Sequence, residues 1–217
     1  MTTPSYTTTL PPEGKGVAAG RAGLWIVVHT LPIVLLPVLT LILGPRFGLD
    51  GAAATMHSAT LVFLPLAQAY ILRHLTGFAA WWVSRALAGL GVALAVAMVV
   101  MSTIDLAGYD AAATPIAMGV AGLLQGLILG WPLRRLGLRR QWMVASVTGW
   151  LVGTIFYRLL IGFGLVWEIG GLSAFGYAYT GGHNELLWMS SGLAGFGIVT
   201  GFVGIARLMS AWPSRAR

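Results

Sequence analysis

The sequence predicts an all-α, polytopic membrane protein with six transmembrane helices and both termini in the cytoplasm. Three observations carry that expectation. Of 217 residues, 57% are hydrophobic and only 9% are charged, whereas a soluble domain carries about 25% charged residues. Apolar runs long enough to cross a hydrocarbon core, which takes about 20 helical residues, recur six times along the chain. The basic residues gather at alternate ends of those runs, the pattern that orients a multispanning chain.

Residues 1–21 read as a disordered cytoplasmic tail, rich in Thr, Pro and Gly and closed by Lys15 and Arg21. A cleaved signal peptide would place its apolar stretch directly after a basic start. Here that stretch begins near Ala22, so the first helix is expected to be retained. The membrane domain covers 22–210, with spans over 22–43, 52–72, 78–101, 111–131, 141–167 and 186–208, followed by a cytoplasmic tail at 211–217. Turn chemistry separates the spans: Gly44-Pro45, Leu75-Thr76-Gly77, Asp105 to Gly108, Pro132 to Arg140, and Gly170 to Asn184. Thr114-Pro115 has the pattern of an N-cap followed by proline at the first helical position.

Orientation follows from arginine. With the amino terminus inside, Lys15, Arg21, Arg73, Arg85, Arg134, Arg135, Arg139, Arg140, Arg207, Arg215 and Arg217 fall on or near the inner side, and Arg46 alone lies in an outer loop. Asp50, Asp105, Asp110, Glu168 and Glu185 fall outside. Trp81, Trp82, Trp131, Trp142, Trp167, Trp188 and Trp212 lie near span ends, as interfacial aromatic belts do. The net charge of +7 is thus spent on membrane orientation, and no nucleic-acid partner is expected.

Several chemistries are closed. Without cysteine there is no disulfide, thiolate nucleophile, cysteine-ligated zinc or iron–sulfur cluster. No G-x-S-x-G, H-E-x-x-H, P-loop or intramembrane aspartate pair occurs, and no metal site is expected. The expected class is therefore not an enzyme.

Two helical hairpins share a pattern. Residues 67–72 align with 124–129 through Gln68 and Gln125, and 82–89 align with 142–149 through Trp82 and Trp142. This predicts a parallel internal repeat, with a remnant in the sixth span where Gly197, Thr200 and Gly201 match Gly122, Gln125 and Gly126. On Gly122, Gln125, Leu129, Trp142, Gly149 and Trp150, about half of the chain resembles a loosely defined group of uncharacterised bacterial multipass proteins, cyanobacterial ones included. The resemblance implies a membrane-embedded helical bundle, in the bacterial cytoplasmic membrane, and no activity. The earlier copy departs from the pattern, with Pro65 in place of the glycine and no tryptophan after Gly89.

Polar residues inside the spans are the candidate ligand- or partner-binding residues. His29, Gln68, Arg85, Gln125 and Thr200 share one depth on the cytoplasmic side of their helix midpoints, which suits either a solute site or interhelical hydrogen bonds. Arg158 and His57 lie in the outer half, where a guanidinium calls for a carboxylate, a phosphate or water. His29 is also the position from which a neutral imidazole would ligate haem or a (bacterio)chlorophyll. Gly122, Gly126, Gly130, Gly149, Gly153, Gly197 and Gly201 form small-residue faces for helix packing. The aromatic outer connection at 168–185 has the length of a lid, a docking surface or an interfacial hairpin. Missing catalytic motifs and small extramembrane parts favour a non-catalytic subunit of a larger membrane assembly, of an energy-transducing or photosynthetic kind. The alternative is a small-solute carrier or channel component.

Overall fold

The computed structural model describes residues 15–73, 78–108, 110–162, 184–205 and 208, and every element among them is helical. Helix α1 (Lys15–Ile71) is followed by α2 (Phe78–Leu106), α3 (Asp110–Leu133), a 3-10 turn (Arg134–Leu136), α4 (Arg139–Gly162) and α5 (Asn184–Val199), which runs on as a π-helical stretch over Thr200–Ile205. Trp81–Ile104, Ala112–Leu133 and Trp188–Ile205 are long and apolar enough to cross a membrane, and Ser58–Ile71 is a shorter apolar stretch. Helix α4 is outside that set, carrying Arg139, Arg140 and Arg158 and, along its length, Ser146, Thr148 and Thr154.

A straight helix of 57 residues would be about 85 Å long. Instead α1 is two arms, 15–47 and 49–71, divided at Gly48, whose φ of 71° and ψ of 159° are non-helical. Only glycine populates that region without steric penalty. The consequence is an antiparallel return, because His29 and Gln68, nearly equidistant from Gly48, meet at 2.8 Å. The expected turn at Gly44-Pro45 thus lies one helical turn early, and helix continues through both residues. At the other end α1 already begins at Lys15, inside the stretch read as a tail. Helix α3 likewise starts at Asp110, so Pro115 sits inside it and not at its first position.

Successive elements pack side by side, and α5 closes against α1, giving a ring of helices α1–α2–α3–α4–α5–α1. Lipid-like surroundings supply little hydrophobic drive between helices, so close backbone approach must stabilise the contacts. Glycine provides it. A Cβ at Gly122 would stand 2.8 Å from Val147 Cα, one at Gly126 3.0 Å from Met143 Cα, and one at Gly130 3.3 Å from the Arg139 carbonyl, which joins α3 to α4. Gly149 and Gly153 face Phe196 and Gly192 across the α4–α5 contact, each at 2.6 Å. Gly197 and Gly201 meet His29 and Ile26 across the α5–α1 contact. All seven glycines singled out in the sequence lie at contacts within this one chain.

The interior is aromatic. Trp25, Trp82, Trp142, Trp150, Trp188 and Phe196 are buried, whereas large aliphatic residues such as Val62, Val99 and Ile155, and the aromatic Phe202, face outward. Trp82, Trp142 and Trp188 are therefore core residues and not members of an interfacial belt; Trp131 remains exposed. Proximity to a span end does not say which side of the helix a residue takes.

Candidate functional site

The polar residues of the interior converge where the arms of α1 meet α2 and α5. Trp25 and His29 are one turn apart in the first arm and share a face. Gln68 stands opposite on the second arm, Trp82 comes from the second turn of α2, and Thr200 from the end of α5. Each is buried, Trp25, His29, Trp82 and Thr200 completely. Unpaired, such groups would be costly in an apolar interior.

They satisfy one another in a single directed chain. Trp82 Nε1 donates to Gln68 Oε1 at 2.9 Å, which turns the Gln68 amide nitrogen toward His29 Nε2, 2.8 Å away. His29 Nε2 must then accept, so the proton resides on Nδ1, which donates to the Trp25 carbonyl at 2.7 Å. Trp25 Nε1 donates to Thr200 Oγ1 at 2.9 Å, and that hydroxyl donates to the Phe196 carbonyl at 2.5 Å. The amide orientation and the tautomer are assigned by this network. The Thr200 hydroxyl reaches the i−4 carbonyl within its own helix, and the π-helical stretch begins at that residue.

Rings enclose the chain. Trp25 lies 4.6 Å from His29, 6.2 Å from Trp82, 6.0 Å from Trp142 and 6.4 Å from Phe196 between centroids, and Trp82 and Trp142 meet edge to face at 5.5 Å. The arrangement excludes water and holds the imidazole in one pose. With both ring nitrogens engaged, His29 has no lone pair to offer haem iron or a chlorophyll magnesium. Indole N–H groups do not exchange protons readily, so the chemistry of this chain suits fixing geometry. Among the described residues, no group of His, Cys, Asp and Glu could hold a metal.

The five residues placed at one depth separate. His29, Gln68 and Thr200 join the chain. Gln125 lies elsewhere, its Oε1 accepting from Trp150 Nε1 at 2.6 Å between α3 and α4. Arg85 is half-buried at the periphery, its guanidinium 5.1 Å from the Trp81 ring. The two hairpins therefore each bury a glutamine against an indole, but with different tryptophans: Trp142, the counterpart of Trp82 in the sequence alignment, leaves Nε1 unpartnered among the described residues, as do Trp188 Nε1 and Ser191 Oγ. Arg158 lies on the exposed flank of α4, one turn before its end. His57 is in the second arm of α1, with a side chain outside the described residues, and the connection at 168–185 is outside them but for its last residues.

Sequence reasoning missed Trp25, Trp82 and Trp150 as polar partners. A signal existed for Trp25, which stands four residues before His29. Nothing local marks the other two as partners, since their acceptors lie on neighbouring helices. No family model, curated protein or solved structure matches this chain.

Proposed function

We propose that the protein is a non-catalytic integral component of the bacterial cytoplasmic membrane, spanning it six times with both termini inside and packing within a larger membrane assembly. The observation that carries this reading is the closed hydrogen-bond chain from Trp82 to Phe196: the interior's most chemically capable group, His29, joins the two arms of α1, while Gln68 extends the chain to α2 and Trp25 to α5. A catalytic or transport site keeps polar groups turned toward a substrate. Here Gln68, Gln125 and Arg85 occupy three separate settings, which supports a packing role over a solute carrier built on these three residues. Many large outward residues are apolar, such as Val62, Val99 and Ile155, suited to lipid or to neighbouring spans.

The test is extraction from native membranes in a mild detergent, followed by native gel electrophoresis and subunit identification. The expected outcome is a particle larger than the 217-residue chain with other membrane subunits at fixed ratio. Migration as an isolated monomer would overturn the reading.

A further inference from the structure

The bundle has an acidic end and a basic end. Asp50 just beyond the Gly48 break, Asp105 at the end of α2, Asp110 at the start of α3 and Glu185 at the start of α5 all lie at one end. Arg73, Arg134, Arg139 and Arg140 lie at the other. Asp110 and Arg134 are separated by the whole length of α3, about 36 Å at the helical rise, and no acid occurs anywhere in residues 111–167. Among the described residues, the acids lie at the opposite end from the α3–α4 turn.

That turn is built and not loose. The 3-10 turn Arg134–Leu136 ends at Gly137, whose φ is 68° and whose N–H donates to the Arg134 carbonyl at 3.0 Å; the Leu138 N–H donates to the Leu133 carbonyl at 3.0 Å. Leu136 and Leu138 pack against the core. Gly130, lacking a side chain, lets the Arg139 backbone sit against the last turn of α3. As a result two guanidiniums converge on one indole: Arg134 Cζ is 4.5 Å and Arg139 Cζ 5.0 Å from the centroid of Trp131, which is 44% exposed. Both lie within the roughly 6 Å reach of cation–π attraction. Arg140, also exposed, follows directly.

Like charges held together on an exposed ring, with no acid near them among the described residues, call for an anion. Guanidinium forks match phosphate oxygens in a bidentate manner, and tryptophan at a span end sits at headgroup level. We infer that Arg134, Arg139 and Trp131 form a binding site for the phosphate of an anionic lipid headgroup. The inference rests on the membrane-embedded reading above, but on neither its orientation nor its partners.

The experiment is native mass spectrometry of the full chain after incubation with equal amounts of phosphatidylglycerol and phosphatidylcholine in detergent. The wild-type protein is expected to retain phosphatidylglycerol preferentially. Arg134→Gln with Arg139→Gln should lower that preference about thirty-fold, roughly five-fold per charge. Trp131→Leu, which keeps both charges but frees them, should lower it about two- to five-fold. Lysine at both arginine positions, keeping charge without the planar fork, should fall between wild type and the double glutamine variant. An unchanged ratio in the double glutamine variant overturns the site, and an unchanged ratio in Trp131→Leu overturns the bracket in favour of diffuse charge. Displacement of the lipid by inorganic phosphate alone would assign the site to free phosphate and overturn the lipid assignment. If the double glutamine variant does not fold, Trp131→Leu and the double lysine variant carry the test. Subunits co-purifying or not has no bearing on these ratios, so the two proposals fail separately.

Discussion

Replacing Gln68 by Leu removes the residue that joins both arms of α1 to α2. Two buried hydrogen bonds are lost, at 2.9 Å from Trp82 Nε1 and 2.8 Å to His29 Nε2. Interhelical bonds in membrane proteins average about 0.6 kcal/mol, so the pair accounts for about 1.2 kcal/mol. The substitution also strands the Trp82 donor in a dry interior, at about 1–3 kcal/mol. The expected destabilisation is therefore about 2–4 kcal/mol, with little change in volume. A double-mutant cycle separates the bond from the packing. Trp82→Phe removes the donor and keeps a ring, and in the double variant neither group is left waiting for the other. The two losses should then fall short of additivity by about 0.6–1.7 kcal/mol. Pairing Trp82→Phe with Gln125→Leu, whose partner is Trp150, should be additive within about 0.5 kcal/mol. Reversible unfolding in mixed micelles of mild detergent and dodecyl sulfate, followed by circular dichroism, provides the free energies. A Gln68–Trp82 coupling no larger than the Gln125 control would refute the hydrogen-bond chain as a unit.

Gly48→Ala places a Cβ at φ 71°, ψ 159° and should cost about 1–3 kcal/mol in the same unfolding assay; a neutral substitution would mean that the arms of α1 do not turn there. Gly195→Ala drives a methyl into the backbone of Gly149 and Gly153, so α5 should separate from α4 and the protein should lose its single peak on size exclusion, whereas Gly91→Ala, with open space around it, should not. Cysteine introduced at Arg135 in this cysteine-free chain should react with an impermeant maleimide only after the membrane is opened, and labelling in intact cells would reverse the proposed orientation.

The legible part of this fold is the part governed by local properties. Helical runs stand out because apolar length and the placement of Arg and Gly-Pro are read one segment at a time, and the runs at α2, α3 and α5 coincide closely with the expected ones. Boundaries were less legible. The break at Gly48 and not at Gly44-Pro45 depends on which glycine the returning arm can use, which is a property of two helices. Likewise Thr200 was visible as a polar residue at a given depth, but its pairing with the Trp25 indole across the α5–α1 contact required the assembled fold.

Composition and charge order by themselves determined that this chain is helical and apolar, with basic residues at one end of its runs and acids at the other, because solvation of charge and length of helix are additive along a sequence. Only the tertiary structure decided which polar residues meet. Depth along a helix follows from counting residues, but azimuth follows from how glycine faces rotate each helix against its neighbours. Hence three of five residues at one level form a chain through Trp25 and Trp82, while Gln125 pairs with Trp150 and Arg85 rests on Trp81. Rotation about the helix axis carries no signature in any single segment, since it is settled by the contacts of all of them together.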